Sequence, residues 1–374
     1  MKIGLVCPYS IAKGGGVQEI VLATQAELKR RGHEVYIITP RPRDMEEDAV
    51  VGDHVLFVGT STDFNSLHTT VQVSASQNEH IDRLLEEHKF DILHFHEPWV
   101  PVLSRQILLR SNAINVATFH AKLPETLMSR TIAKVVTPYT KPLLKYIHEL
   151  TAVSDAAAEY VCSLTDVPVA IIPNGIDLET FKPPARFADR RKKKVILYVG
   201  RLEQRKGVKY LLLAFHELQK KRPDVSLVIA GAGGDREKLE MLTADLEIKN
   251  VTFVGQISDQ DKQKYMRNSD LFCSPALHGE SFGVVLLEAM ASGLVTVAGD
   301  NPGYSSVMQG LGGLSLVNPQ HTAEFARRLD LLLHETDLRK LWRGWAASEI
   351  GQYSWPNVVS QYEEIYQQAL INHG

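Results

Sequence analysis

The sequence has few cysteines, no long apolar run and almost no excess of charge. Its three cysteines, Cys7, Cys162 and Cys273, stand far apart and form no CxxC pair. This excludes a disulfide scaffold, and we expect buried, reduced thiols. No run of about 18 apolar residues is present, so no segment is expected to span a bilayer. The first residues are typical of a strand rather than a signal peptide. These features predict a cytoplasmic protein.

The overall charge and composition are ordinary for a folded chain. A net charge of -3 gives no reason to expect nucleic acid as a partner. Hydrophobic residues make up 44% and charged residues 23%, which excludes a disordered or collagen-like chain. For 374 residues, at ~150 residues per domain, about two to three domains are expected.

Short apolar runs alternate with helical patterns in both halves of the chain. In the first half, the apolar run Lys2–Cys7 is followed by three glycines, the helical spacing of Val17–Arg31 and a second run, Val35–Thr39. This order is a βαβ unit. A new series of strands begins with Lys194–Val199. We therefore predict an α/β fold with two doubly wound bodies.

The predicted bodies divide near residues 168–190, and the polar, basic segment Phe187–Lys194 is typical of a linker. A final helical pattern covers Trp355–Leu370. Open α/β sheets bind ligands at the carboxyl ends of their strands. We therefore expect a substrate cleft between the two bodies, lined by strand-end loops of both.

Two carboxylates flank the start of a predicted helix that runs from near Phe282 to Gly293, with Ser281 as N-cap. Free backbone N–H groups at such a helix start suit a diphosphate. Glu288 inside the helix and Glu280 before it could then bind hydroxyls of a ribose and a transferred sugar. The alternative is an ordinary capped helix that carries two unremarkable glutamates.

Two other loops carry residues suited to phosphate. Arg201 and Lys206 follow a strand and could clamp a diphosphate, although a solvated basic loop is the alternative, and Arg205 has no firm assignment. The run Gly14-Gly15-Gly16 is neither a dinucleotide fingerprint nor a P-loop. It either admits a sugar phosphate close to the backbone or forms a tight turn with positive φ.

Histidines also stand at predicted strand ends. His120 could bond a sugar hydroxyl or be structural. His94 and His96, next to Glu97, would share one face of a strand, but no third metal ligand follows at a usual spacing. The carboxylates of Asp259-Gln260-Asp261 are better explained by helix capping, with Ser258 or Asp259 as N-cap. A metal-independent reaction is expected.

These motifs together resemble the retaining glycosyltransferases of family 4. The matching segments are the E-x7-E pair Glu280 and Glu288, the Gly-Arg-x4-Lys-Gly run from Gly200 to Gly207, Gly15-Gly16-Val17, and Thr118-Phe119-His120. The resemblance implies the GT-B fold, which has two Rossmann-like domains with a cleft between them and a C-terminal helix that crosses back to the first. It also implies a nucleotide-diphosphate sugar as donor, and no cofactor or metal.

The resemblance assigns roles to individual residues and to each domain. Residues 1–170, with 355–374, would bind the acceptor, and residues 171–354 would bind the donor. The implied catalytic residues are His120, Glu280, Arg201 and Lys206; the donor-binding residues are Gly15, Gly16, Ser281, Phe282, Gly283, Val284 and Glu288; the acceptor-binding residues are Tyr9, Ser10 and Gln18.

Within family 4, the first residues of the chain and the His-Phe-His-Glu-Pro run resemble the phosphatidylinositol mannosyltransferases of actinobacteria. GDP-mannose is then the expected donor, and a lipid or glycan the acceptor. UDP-glucose, UDP-galactose and UDP-N-acetylglucosamine stay open as donors. So do a mutase or epimerase on a similar fold, and a catalytically dead nucleotide-sugar-binding protein.

One region departs from those mannosyltransferases, which have a basic stretch there for the lipid phosphate. In Gly59–His88, Arg83 is the only arginine or lysine. An amphipathic stretch from Arg130 to Lys145 offers another face for peripheral membrane contact, at the cytoplasmic side of a membrane, although a solvated helix face is the alternative. The five cations Arg190–Lys194 are a second such face or a soluble linker.

Overall fold

The structure is a computed structural model that describes residues 1–43, 45, 52, 54–65, 70–122, 137–184 and 193–374. The chain divides into two compact units. The first comprises Met1–Gly175 and Trp355–Gly374, and the second comprises Ile176–Ser354. In the described residues, no helix combines the length and the apolar character that crossing a membrane requires.

The first unit is built on an eight-stranded sheet in the order β4-β3-β2-β1-β5-β6-β7-β8. Its strands are β1 (Lys2–Val6), β2 (Glu34–Arg41), β3 (Val55–Asn65), β4 (Thr70–Ala75), β5 (Ile92–His96), β6 (Ile114–Phe119), β7 (Glu149–Ala152) and β8 (Val169–Ile171). All neighbours pair in parallel except β3 with β4. The described helices are α1 (Gly16–Arg30), α2 (Asn78–His88), α3 (Leu103–Leu108), α4 (Asp155–Cys162) and, from the end of the chain, α12 (Trp355–His373).

The second unit has a six-stranded, fully parallel sheet in the order β11-β10-β9-β12-β13-β14. Its strands are β9 (Val195–Val199), β10 (Ser226–Ala230), β11 (Val251–Gly255), β12 (Leu271–Ser274), β13 (Thr296–Gly299) and β14 (Leu316–Val317). Its helices are α5 (Val208–Gln219), α6 (Arg236–Asp245), α7 (Asp259–Asn268), α8 (Val284–Ala291), α9 (Pro302–Val307), α10 (Thr322–His334) and α11 (Thr336–Glu349).

In each sheet the direction of strand addition reverses next to the first strand of the unit. The reversal falls between β1 and β5 in the first unit and between β9 and β12 in the second. In doubly wound sheets this switch point is where ligands bind, because the loops on either side leave in opposite directions. The predicted α/β class with two Rossmann-like bodies is confirmed. The loops next to the switch points are those that follow β1, β5, β9 and β12.

The buried strands are apolar on both faces, as a parallel sheet covered by helices requires. In β5 every residue is buried, and β6 is the same. The C-terminal helix α12 completes the core of the first unit, with Val358, Val359, Tyr362 and Tyr366 among the central side chains. The predicted return of the last helix to the first body is therefore confirmed.

Two expectations about single residues are wrong. Cys162 is exposed at the end of α4, whereas Cys7 and Cys273 are buried. An apolar neighbourhood in the sequence did not place Cys162 on the core-facing side of its helix. Lys194 is buried rather than part of a solvated linker, and its ammonium group lies 3.4 Å from Asp270.

Several expected surfaces fall partly outside the described residues. Of the predicted linker and its cations, residues 187–192 lie outside them, and so do residues 130–136 of the expected membrane face. The rest of that face includes Lys141 and Lys145, which are exposed on a short 3-10 helix, Lys141–Tyr146.

A cluster of polar contacts holds α12 against the end of α1. The guanidinium of Arg31 contacts Glu27 at 2.8 Å, Ser360 at 2.9 Å and the carboxylate of Glu363. His33 shares a 2.6 Å hydrogen bond with the same Glu363 carboxylate. Arg31 is therefore the junction between a helix near the start of the chain and the last helix.

Replacing Arg31 with alanine should destabilise the first unit. Removal of the guanidinium leaves the largely buried Glu27 and Glu363 carboxylates short of a partner, and we expect a loss of about 1–3 kcal/mol. Urea denaturation, followed by tyrosine and tryptophan fluorescence, measures this. Arg30→Ala is the matched control, because Arg30 also pairs with Glu27 but is 66% exposed; its loss should be clearly smaller than that of Arg31→Ala. Equal losses for the two variants would contradict the role given to Arg31.

Candidate functional site

The loop after β1 carries the predicted acceptor residues of the first unit. Ser10 is fully buried and Tyr9 is partly exposed. The Thr39 hydroxyl donates a 2.8 Å hydrogen bond to the Tyr9 carbonyl and accepts one of 3.3 Å from the N–H of Ile11. The loop is therefore held to the end of β2, and Tyr9 is presented at the switch point.

The glycine run after this loop is not a positive-φ turn. Gly14, Gly15 and Gly16 do not belong to the glycines with positive φ, and α1 begins at Gly16. A Cβ atom on Gly14 or Gly16 would meet no heavy atom within 4 Å. On Gly15 it would lie 2.4 Å from the Gln18 side-chain oxygen. The tight-turn alternative is therefore wrong, and neither φ nor crowding by the described protein atoms explains glycine at positions 14 and 16.

His120, at the end of β6, lies in a buried polar cluster at the same edge of the sheet. Its Nε2 lies 2.8 Å from Nδ1 of His96, the last residue of β5. Burial lowers the pKa of His120 to about 3. The imidazole is therefore neutral at pH 7, so it can exchange hydrogen bonds with hydroxyls but cannot act as a cationic acid.

The side chain of Glu97 joins this cluster by contacting the backbone of His120. Its φ of 51° is unusual for a residue other than glycine, and its carboxylate accepts a 2.8 Å hydrogen bond from the N–H of His120 and another from the indole N–H of Trp99. Burial raises the pKa of Glu97 to about 8. Burial is the main cause of the raised pKa of Tyr9, and the charge of the Glu97 carboxylate raises that pKa further. Glu97 therefore links the loops after β1, β5 and β6.

The metal alternative for the histidine pair on β5 has no support in the contacts. His94 shares a 2.7 Å hydrogen bond with the Tyr366 hydroxyl and one of 2.6 Å with the Thr118 hydroxyl, so both of its nitrogens are engaged. In the part of the chain that the structure describes, no group of three or more His, Cys, Asp or Glu residues could hold a metal ion. The Ser258 hydroxyl caps α7, as expected, by accepting from the N–H of Asp261.

In the second unit, the loops after β9 and β12 meet in an ion cluster. The Glu280 carboxylate lies 2.7 Å from the Lys206 ammonium and 2.8 Å from the Arg205 guanidinium. Glu203 pairs with Arg205 at 3.0 Å and with Arg201 at 2.8 Å. Burial lowers the pKa of Lys206, and the adjacent Glu280 opposes this effect. Three cationic side chains thus share two carboxylates, which leaves one positive charge in excess.

The helix after Glu280 starts later than expected. α8 begins at Val284, and its N-cap is Gly283 rather than Ser281. Gly283 has a φ of 111°, and a Cβ atom there would lie 2.7 Å from the Tyr304 ring, so glycine is required on both counts. Tyr304 is in turn fixed by a 2.7 Å hydrogen bond to Ser274 at the end of β12. Phe282 is buried, and its ring lies 6.0 Å from that of Tyr353.

Glu288, the second carboxylate of the pair, lies within α8 and is buried. Its carboxylate is 2.8 Å from the ammonium of Lys262 on α7. Burial acts to lower the pKa of Lys262, but the attraction of Glu288 and then of Asp259 outweighs it and raises the pKa. The two glutamates of the motif therefore have different cationic partners.

Several residues in these clusters had no assigned role from the sequence, among them Arg205, Lys262, His96, Glu97 and Glu203. Arg205 stands beside a motif residue, and His96 was considered only as a metal ligand. The sequence showed what these two side chains are, but it did not predict which groups they contact. Nothing in the sequence indicated that Lys262 pairs with Glu288. It lies 26 residues earlier, on a helix with an ordinary pattern of charged residues.

The chain matches two family profiles in succession. Residues 14–180 match Glycosyltransferase Family 4, and residues 182–347 match Glycosyl transferases group 1. A phosphatidyl-myo-inositol mannosyltransferase of Mycolicibacterium smegmatis is 32% identical, over 98% of this chain and 94% of the relative. A protein of the same name from Propionibacterium freudenreichii is 30% identical, over 100% of this chain and 98% of its own length.

Solved structures with the same fold include sucrose-phosphate synthase from Thermosynechococcus elongatus, with a TM-score of 0.78, 19% identity and 99% of both chains covered. Anabaena HepE in complex with UDP and glucose has a TM-score of 0.74 at 18% identity, with 98% of this chain and 99% of that one covered. These likenesses bear on the fold, which is GT-B. Taken with the identity to the curated relatives, they place the chain in glycosyltransferase family 4, as a glycosyltransferase.

Proposed function

We propose that the chain transfers mannose from GDP-mannose to a hydroxyl of a lipid or glycan, with retention of configuration and without a metal. The ion cluster of the second unit is the observation that carries this proposal. Its excess positive charge, at the switch point of a parallel sheet, suits the diphosphate of a nucleotide sugar. The preference for mannose rests on relatives named phosphatidyl-myo-inositol mannosyltransferase.

In the proposed donor site, Arg201 and Lys206 bind the diphosphate together with backbone N–H groups at the start of α8, from Ser281 to Val284. Glu288 accepts hydrogen bonds from the ribose hydroxyls. Glu280 binds a hydroxyl of the transferred sugar, and its 2.7 Å contact with Lys206 supports a role for that cation at the leaving phosphate. Positive charge there stabilises the leaving group as the glycosidic bond breaks.

The first unit supplies hydroxyl recognition in this proposal. His120 is neutral at pH 7 and bonds the transferred sugar. Gly15 and Gly16 let the donor lie against the backbone, and Tyr9, Ser10 and Gln18 bind the acceptor. Because an imidazole with a pKa of about 3 is a weak base, the leaving phosphate oxygen, rather than His120, is the proposed acceptor of the proton from the attacking hydroxyl.

The acceptor could be a membrane lipid or a soluble glycan, and the charge on helix α2 bears on this choice. Helix α2 exposes Glu79, Asp82, Glu86 and Glu87, with Arg83 as its only arginine or lysine. This face would repel an anionic membrane rather than bind one. Any association with the cytoplasmic side of a membrane would therefore use another face, and Lys141 and Lys145 are the described candidates.

A panel of acceptors distinguishes these cases. The full chain with GDP-mannose should transfer mannose to phosphatidylinositol in mixed vesicles, and the product should carry an α-linkage by NMR. Transfer to soluble glycans alone would contradict the lipid acceptor. Activity with UDP-glucose, UDP-galactose or UDP-N-acetylglucosamine in place of GDP-mannose would contradict the mannosyl donor, and nucleotide binding without any turnover would indicate a binding protein.

Replacing Glu288 with glutamine should weaken nucleotide binding. An amide offers one acceptor where the carboxylate offered two, and the loss of charge-assisted bonds to the ribose should reduce GDP affinity about tenfold or more. Calorimetry with GDP measures this. Glu240→Gln is the matched control, because Glu240 also pairs with a cation, Arg236, but on the exposed helix α6. Equal GDP affinity in the two variants would remove the ribose role of Glu288.

Replacing Gly16 with alanine should reduce activity without reducing stability. The added methyl meets no protein atom within 4 Å, so stability should be unchanged or slightly higher. If the donor lies against this backbone, the methyl should raise the donor KM or abolish turnover. Gly344→Ala is the control, since that glycine also has open space around it but lies in α11. Full activity of Gly16→Ala would contradict the donor contact.

A further inference from the structure

We propose that His96 is a positioning residue for His120: the two imidazoles form one hydrogen-bonded unit, in which His96 sets the tautomer and the ring orientation that His120 offers to a sugar hydroxyl. This inference rests on the proposed function for its link to catalysis. The structural coupling of the two rings can be tested without it.

The pairing of strands β5 and β6 brings the two side chains together. His96 lies directly opposite Thr118, and His120 follows two residues beyond it, just past the end of β6. Nδ1 of His96 is 2.8 Å from Nε2 of His120, and the ring planes differ by 20°. The rings are nearly parallel, their centroids are 5.1 Å apart, and the nitrogen–nitrogen distance is that of an N–H···N hydrogen bond.

Both rings are neutral, and this couples their tautomers. Burial lowers the pKa of His96 well below its usual value, and the neighbouring rings of His94 and His120 lower it further. A neutral imidazole carries one hydrogen. If Nε2 of His120 donates to His96, then Nδ1 of His120 is an acceptor; if it accepts, Nδ1 carries the hydrogen. The state of His96 therefore decides whether His120 presents a donor or an acceptor.

The outer nitrogens of the pair are the ones without partners. Nε2 of His96 and Nδ1 of His120 are buried, and neither has a hydrogen-bond partner among the residues that the structure describes; the same holds for Oδ1 of Asn174. The side chain of Asn174 acts on His120 and raises its pKa against the effect of burial. Buried polar atoms without partners are costly, which suits a site that a polar ligand completes.

His94 shows what a purely structural histidine on this strand requires. It lies two residues before His96, its ring centroid is 4.3 Å from that of His96, and it is equally buried. Both of its nitrogens nevertheless contact hydroxyls, of Tyr366 and Thr118. Glu97 fixes the backbone N–H of His120, so the ring orientation depends on His96 and on the Asn174 side chain, which also acts on the ring.

The test is ¹⁵N NMR of the full chain labelled at histidine. In the wild type, His96 and His120 should each show a single neutral tautomer, with a scalar coupling between Nδ1 of one and Nε2 of the other. In His96→Leu both ring shifts of His120 should change, whereas in His94→Leu, the matched control on the same strand, they should not. His96→Asn, whose amide can occupy the place of Nδ1, should restore the wild-type tautomer if the leucine variant does not fold.

Kinetics link the pair to transfer. His96→Leu should lower kcat about tenfold or more and leave GDP affinity unchanged, since His96 is not among the proposed donor contacts; His96→Asn should recover part of that loss. Independent, mixed tautomers in the wild type, or unchanged His120 shifts in His96→Leu, would overturn the proposal. If the wild type transfers no sugar, the proposed function fails, and the NMR result still decides whether His96 controls His120.

Discussion

Parallel pairing of buried strands is the constraint on which the rest of the structure depends. Because all strands that flank the two switch points run in one direction, the loops that follow these strands leave from the same edge of each sheet. Residues separate in the sequence, such as Tyr9 and His120 or Lys206 and Glu280, therefore lie at one edge of their unit. The strand interiors are buried, and polar side chains within them, such as His94 and Thr118, bond to each other.

Burial then determines which polar groups can stand at the strand ends. In the second unit the charges are kept, because each buried carboxylate has a cation close to it: Lys206 and Arg205 beside Glu280, and Lys262 beside Glu288. The first unit instead keeps its histidines neutral, with a pKa of about 3 for His120.

The sequence alone predicted the elements that depend on local patterns. Strand and helix positions followed from apolar spacing, and the return of α12 to the first unit followed from a family resemblance. It failed where the outcome depended on tertiary contacts. Ser281 is a good capping residue by type, yet Gly283 caps α8 because the Tyr304 ring leaves room for no side chain there. Lys194 belongs to a polar, basic segment that is typical of a linker, yet its side chain pairs with Asp270 in the interior.

The same limit explains which parts of the candidate site could not be predicted. A motif names the carboxylates Glu280 and Glu288, but the ion pairs that hold them come from Arg205 and Lys262, whose positions are set by other elements. His96 is the clearest case, because its residue type suggests a ligand for a metal and its distance to His120 gives it a different role. In the proposed function, a neutral imidazole pair recognises hydroxyls without competing for the diphosphate, whereas a cationic one would attract it. The low pKa values in the first unit then leave phosphate recognition, in this proposal, to the arginines and lysines of the second.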